Sequence, residues 1–300
     1  GGSVYDSHTG KLAFCCRGPE GCQLQGAHLT PKGSFLVTCC KPRKSADTKE
    51  GSTTWVHTSS DGEEQSTEIS NGLAVWDIGS GDLCTSFPVG LAFSANEWPY
   101  IQWTTDESYA CRKVKDGIEM ITRKGMLSGG EVDEKLEIHG MTTAWMTSNV
   151  RRGEDGNEKK VWISVFIKGD TWGDGGKESK MQIFEYPGGF KKPFVSVGLG
   201  PAEECTIKWA YDASALLVLS TIVVDDRNDN YYGRTRLQFV RLDEAGVSNV
   251  KLDKEGPVHD ASWSPNTREF AVVYGTMPAR ACLFNYRGQA QYSYGAGKFN

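Results

Sequence analysis

Lys208-Trp209-Ala210-Tyr211-Asp212-Ala213-Ser214, running into the apolar stretch 215–219, follows the same pattern as Ser262-Trp263-Ser264-Pro265-Asn266-Thr267-Arg268, running into 270–274. Each reads as a short strand ending in tryptophan, a polar turn, and a second strand that is almost wholly apolar. Earlier copies begin at Leu29-Thr30-Pro31-Lys32-Gly33, Trp103-Thr104-Thr105-Asp106-Glu107 and Trp145-Met146-Thr147-Ser148-Asn149. Every copy is followed by a further strand pair, whose leading strands are 73–78, 117–121, 181–186, 237–240 and 282–286. The anchors recur at spacings of about 42 to 74 residues, and units of four strands at such periods are propeller blades, the longer ones carrying loop insertions. The sequence therefore predicts an all-β chain, a β-propeller of degenerate WD40 type with five complete four-stranded blades and partial blades beside them.

The blades are expected at 25–90, 91–130, 131–200, 201–254 and 255–294. Residues 1–24 parallel the outer hairpin of a blade, because Val4-Tyr5-Asp6-Ser7-His8-Thr9-Gly10-Lys11-Leu12 resembles Val75-Trp76-Asp77-Ile78-Gly79-Ser80-Gly81-Asp82-Leu83. Residues 295–300 read as the lead-in to a further blade. A propeller avoids long free edges when its first and last blades meet, and blades cut at both ends predict a piece of a larger propeller. Residues 41–71 are polar and rich in Ser, Thr, Glu and Lys, and read as a long mobile loop inside the second blade. Insertions at 169–179 and 224–234 occupy the corresponding place in their own blades, so all three are expected on one face.

The composition, 38% hydrophobic and 24% charged over 300 residues, is that of a globular chain. No run of 18 apolar residues is present, so no membrane partner is expected. A net charge of −5 gives no global attraction to nucleic acid, and any such contact must be local. Nine cysteines, an odd number set mostly in apolar strands, read as reduced thiols.

Local chemistry is thin. Gly175-Gly176-Lys177 is followed by Glu178 and preceded by Thr171 where a phosphate loop needs glycine. The run 225–230 puts Tyr231 at the turn-glycine position of a calcium loop and Leu237 at its bidentate glutamate. Cys15, Cys16, Cys22, His28, Cys39 and Cys40 lack the Cys-x2-Cys spacing of zinc sites, and adjacent strand residues point to opposite faces. No cofactor, metal or catalytic residue is assigned. Trp103, Trp145, Trp209 and Trp263 recur at one blade position and read as anchors between blades rather than platforms for bases.

Basic residues provide the candidate site. Arg151, Arg152, Lys159 and Lys160 fall in the first turn of the 131–200 blade, and Lys191 and Lys192 in its last turn, at the same end. Arg123 and Lys124 take the corresponding outer turn of the preceding blade. Eight cations so placed could contact RNA phosphates, although Glu154, Asp155 and Glu158 dilute the first turn.

Tyr231-Tyr232-Gly233, Gly256-Pro257-Val258-His259-Asp260-Ala261-Ser262-Trp263 and Glu269-Phe270-Ala271-Val272-Val273-Tyr274-Gly275-Thr276-Met277-Pro278-Ala279 resemble the propeller of eukaryotic translation initiation factor 2A. Glu185-Tyr186-Pro187-Gly188 and Ala281-Cys282-Leu283-Phe284-Asn285 fit the same pattern, which is strongest over 181–300. The 41–71 insertion and Arg234 depart from it. The resemblance implies a nine-bladed propeller followed by a flexible C-terminal region. It also implies a cytoplasmic, non-catalytic factor that binds the small ribosomal subunit and supports delivery of initiator methionyl-tRNA, with other initiation factors as further partners. Transfer RNA and mRNA binding is expected mainly in the C-terminal region beyond this chain. The alternative is a general protein-interaction scaffold, such as the propeller of subunit b of eukaryotic initiation factor 3.

Overall fold

The computed structural model describes residues 2–17, 24–40, 53–58, 64–69, 72–88, 98–152, 159–169, 177–222, 234–244 and 246–294. The chain divides into two compact units, one of Gly1–Val114 with Ile118–Lys135 and the other of Lys115–Gly117 with Leu136–Asn300.

The first unit begins with β1 (Gly2–Tyr5), β2 (Leu12–Arg17), β3 (Leu24–Leu29), β4 (Phe35–Cys40), β5 (Thr53–Thr58), β6 (Glu64–Ile69), β7 (Leu73–Asp77) and β8 (Leu83–Phe87). It continues through β9 (Ile101–Trp103), β10 (Tyr109–Val114), β11 (Gly117–Thr122) and the short α1 (Arg123–Leu127), with β12 (Glu134–Glu137) at the sequence boundary. These strands make three four-stranded antiparallel sheets, ordered β1-β2-β5-β6, β3-β4-β7-β8 and β12-β11-β10-β9. The second unit contains β13 (Met141–Met146), β14 (Arg151–Arg152), β15 (Lys159–Ile167), β16 (Ser179–Tyr186) and β17 (Val195–Gly200), then β18 (Glu204–Trp209), β19 (Ala215–Ile222), β20 (Arg234–Arg241) and β21 (Gly246–Asn249). It ends with β22 (Val258–Trp263), β23 (Phe270–Tyr274), β24 (Arg280–Phe284) and β25 (Ala290–Tyr294). Their sheets are β13-β15-β16-β17, with β14 on β15, then β18-β19-β20-β21 and β22-β23-β24-β25. Successive four-stranded antiparallel sheets of this kind are the blades of a β-propeller.

Alternation along each strand divides the core into layers between blades. Phe35, Val37 and Val75 of one blade meet Ile101, Ala110 and Ile121 of the next in the first unit. In the second unit, Phe166, Met181 and Val197 meet Ile207, Leu216 and Val218, while Leu217, Leu237 and Phe239 meet Phe270, Val272 and Phe284. Cys39 and Cys40, adjacent on β4, lie in different layers, as the two-residue period of a strand requires.

The repeated tryptophans sit at these seams. Trp263 donates its indole N–H to the Lys208 carbonyl of the preceding blade at 2.8 Å, and Trp209 donates likewise to the Trp145 carbonyl at 3.4 Å. Trp103 stacks on Phe35 with 5.0 Å between centroids and 21° between planes.

The first turns are built alike. Asp106 accepts from the Ser108 amide and hydroxyl at 3.0 and 2.6 Å, and Asp212 from those of Ser214 at 3.1 and 2.6 Å. Side-chain acceptance two residues onward makes the Asx turn that these sequences specify. One turn position is left-handed in three copies: Gly33 has φ 72°, Glu107 φ 57° and Ala213 φ 56°. Glycine meets this requirement without strain, whereas Glu107 and Ala213 adopt a conformation that is costly for residues with a Cβ.

Residues 41–71 depart from the expected loop. Their middle forms the β5–β6 hairpin, and β5 pairs with β2, not with β4, placing Cys16 opposite His57 and Arg17 opposite Val56. The hairpin thus completes the sheet begun by β1 and β2 and covers the edge that β2 would otherwise expose. His57 is buried with its ring 5.1 Å from Trp76, whose indole N–H donates to the Thr38 hydroxyl at 2.9 Å. The flanks of this insertion, most of 169–179, Tyr231-Tyr232-Gly233 and residues 295–300 lie outside the described residues. The third sheet also runs beyond residue 130, because β12 at 134–137 pairs with β11.

Candidate nucleic-acid interface

Five of the eight basic residues singled out by sequence are described at one end of a single sheet; of Arg152 only the backbone pairing is described. On β15, Val161 opposes Tyr186 of β16, and on β16, Ile183 opposes Val195 of β17. Antiparallel pairing therefore puts the start of β15 and the β16–β17 turn at the same end. β14 adds to this end, with Arg151 opposite Lys160 and Arg152 opposite Lys159. Arg151, Lys159, Lys191 and Lys192 are exposed. Lys160 is committed to an ion pair with Glu185 at 2.6 Å, each side chain about 30% exposed.

The turn presenting Lys191 and Lys192 is held by aromatic rings. Phe190 packs on Tyr186 and Phe184, at 5.6 and 6.3 Å between centroids. Phe194 packs on the buried Trp162 at 4.8 Å, and its amide donates to the Ile183 carbonyl at 2.7 Å. A Cβ at Gly189 would lie 2.3 Å from the Glu185 carbonyl oxygen, so the backbone of the turn closes over β16 more tightly than another residue allows.

Arg123 and Lys124 lie in the first unit. Thr122 caps α1 by accepting from the Gly125 amide at 3.0 Å, so the helix starts at Arg123. Lys124 is exposed, but Arg123 pairs with Glu107 at 2.8 Å and lies 5.0 Å from the centroid of Phe35. Glu107 is buried and also accepts from the Thr30 hydroxyl at 2.5 Å and the Lys32 amide at 2.7 Å. Burial raises the carboxyl's pKa, but hydrogen bonds from Ser34, Thr30, Lys32 and Arg123 outweigh it and hold the group below its ordinary range. Arg123 thus reaches from a partly exposed position into an ionic joint whose Glu107 end is buried, which its place beside Lys124 in the sequence does not reveal. Phe190 and Phe194 are the residues that a search for basic clusters alone misses, although Phe190-Lys191-Lys192-Pro193-Phe194 shows the aromatic–basic interleaving in plain sequence.

Other candidate chemistry resolves into structure. Among the described residues no group of three or more His, Cys, Asp or Glu is placed to hold a metal ion. Burial pushes the thiols of Cys111 and Cys205 up to about 12, which keeps them protonated. His259, on β22, contacts the Gly275 carbonyl through Nε2 at 2.8 Å and fixes the start of the 275–279 loop. No described helix is long and apolar enough to cross a membrane.

The family model for eukaryotic translation initiation factor eIF2A matches residues 199–300. The eukaryotic translation initiation factor 2A of Schizosaccharomyces pombe is 28% identical over 259 residues, which are 86% of this chain and 38% of that protein. That of Drosophila melanogaster is 33% identical over 136 residues, 45% of this chain and 21% of its own length. This chain thus spans well under half the length of these relatives. A crystal structure of a eukaryotic initiation factor superposes with a TM-score of 0.70 over 98% of this chain and 60% of its own, at 22% identity, which establishes the shared fold. By these matches the chain is similar to eukaryotic translation initiation factor 2A proteins, with the family model itself lying on residues 199–300.

Proposed function

We propose that this chain is a translation initiation factor domain of the cytoplasm that acts by binding, docking on the small ribosomal subunit and supporting delivery of initiator methionyl-tRNA. The similarity to factor 2A proteins supports the process. The observation that carries the contact is the gathering of Arg151, Lys159, Lys191 and Lys192 at one exposed end of the β13–β17 sheet, the two last on a turn packed by Phe190 and Phe194. Cations fixed on rigid elements are suited to phosphate recognition, which dominates affinity for RNA and weakens with salt. Arg123 is paired with Glu107, with 42% of its side chain exposed.

Co-sedimentation of the chain with purified small ribosomal subunits across a salt series, with transfer RNA as competitor, tests the proposal. Salt-sensitive binding that falls steeply when Arg151, Arg152, Lys191 and Lys192 are reversed to Glu is the expected result. Binding that is absent at low salt, or indifferent to the reversals, overturns it and favours a protein-binding scaffold.

A further inference from the structure

We infer that the basic end of the β13–β17 sheet takes RNA as an unpaired strand, one base of which stacks on the ring of Phe194. The inference rests on the RNA-binding reading above and names the form of RNA that the site accepts. Phe194 is 50% exposed, although it lies beside the buried Val195 at the start of β17. The ring nonetheless packs on a buried neighbour that restricts it. One side lies against Trp162, itself only 6% exposed, and the backbone is tied to Ile183. A ring already held in place loses little conformational freedom when a ligand covers it.

The two phenylalanines that bracket the lysines differ in what covers them. Phe190 turns inward onto Tyr186 and Phe184 and secures the turn. Phe194 leaves half its surface to solvent directly after Lys191-Lys192-Pro193, at the sheet end that also carries Arg151 and Lys159. An exposed aromatic face bordered by cations is the arrangement that binds single strands: the cations follow the phosphates while a base, whatever its identity, lies on the ring. A double helix keeps its bases stacked on one another and offers none for this purpose. Glu185, the acidic residue of β16, is neutralised by Lys160 and does not repel the strand.

The test measures fluorescence anisotropy of a labelled ten-nucleotide oligouridine, of the same strand annealed into duplex, and of a strand with abasic positions, each titrated with the full chain over a salt series. Phe194→Ala is expected to weaken oligouridine binding about tenfold, the scale of one base–aromatic stack, without changing the salt slope. Phe194→Tyr is expected to retain binding, whereas Phe194→Leu, apolar but without a flat face, is expected to fall like alanine. Abasic strand and duplex are expected to be indifferent to all three changes. Replacing Lys191 and Lys192 by Ala is expected to flatten the salt slope by roughly 0.7 for each phosphate that is no longer neutralised. Thermal melts confirm that each variant is folded. If oligouridine binding persists unchanged in Phe194→Ala but weakens in the lysine variant, stacking is overturned and RNA binding stands. If Phe194→Tyr loses as much as alanine, the ring serves packing and the inference is overturned. If the folded chain binds none of these RNAs at low salt, both readings fall.

Discussion

Arg268 donates from Nε to the Oδ2 of Asp212 at 2.7 Å, joining the first turn of one blade to the first turn of the blade before it. Glu107 and Thr30 make the corresponding joint in the other unit at 2.5 Å, and there too the later blade reaches back, with a carboxylate in place of the guanidinium. The turns therefore do more than reverse the chain. Each projects one polar side chain across the seam, beside the apolar layer of the blades. The tryptophan of the strand before the turn closes the same seam, Trp263 through the Lys208 carbonyl and Trp103 by stacking on Phe35.

The Glu107 joint is expected to control stability in the first unit. Glu107→Gln removes the charge that Arg123, Thr30 and the Lys32 amide satisfy, at an expected cost of about 1–3 kcal/mol in urea unfolding at pH 7. The carboxyl has a lower pKa folded than unfolded, so its contribution is complete above the unfolded value of about 4.3 and is lost as pH falls through the folded one. The gap in melting temperature between wild type and Glu107→Gln should consequently narrow as pH falls below about 4. A gap that widens in acid would show that the carboxylate is not the stabilising form.

Asp212 obeys the same sign. Burial raises its pKa, but the Ser214 hydroxyl and amide and then Arg268 outweigh that and lower it. Arg268 is 53% exposed, so solvent screens the pair, and a double-mutant cycle of Asp212→Asn with Arg268→Gln is expected to give a coupling of about 0.3–1 kcal/mol, diminished by salt. Asp212→Asn can still make the turn bond to Ser214, so the single change should cost less than Asp212→Ala. Equal unfolding midpoints for Asn and Ala would show that the turn bond contributes nothing to stability.

The tryptophans separate hydrogen bonding from packing. Each Trp→Phe change removes a similar volume, but Trp263→Phe also leaves the Lys208 carbonyl without its indole donor, whereas the buried indole nitrogen of Trp103 has no hydrogen-bond partner. Trp263→Phe is expected to cost about 1 kcal/mol more than Trp103→Phe in urea midpoints, the net worth of one such bond. Trp209→Phe, whose bond is longer at 3.4 Å, should fall between them.

The seams were legible in sequence because their residues recur: the tryptophans at 103, 145, 209 and 263 and the apolar strands after them follow one pattern. The β5–β6 hairpin was not, because its strands are polar and pair backward with β2 across the intervening β3 and β4, and nothing local in Thr53-Thr54-Trp55-Val56-His57-Thr58 names that partner. The basic end was legible through the antiparallel logic of a meander, which puts the first and third turns together. The pairing of Arg123 was not, since it depends on Glu107 holding a left-handed turn conformation while its side chain reaches Thr30, and an acidic residue in a turn ordinarily reads as solvated.

Gly189 connects backbone geometry to binding. Adding a Cβ there brings it within 2.3 Å of the Glu185 carbonyl oxygen and 2.9 Å of the Glu185 Cβ, and neither is the yielding tip of a long side chain. Gly189→Ala must therefore move the turn off β16, shifting Lys191, Lys192 and Phe194 without altering any charge. Gly188→Ala is the control: its φ of 81° is strained for alanine, yet a Cβ there meets nothing within 4 Å. Both changes should lower the melting temperature, but only Gly189→Ala should weaken binding to RNA severalfold at constant ionic strength. Anisotropy titrations of the two folded variants decide the matter: equal affinities would mean that charge alone, and not the fixed placement of the turn, determines what this end of the sheet binds.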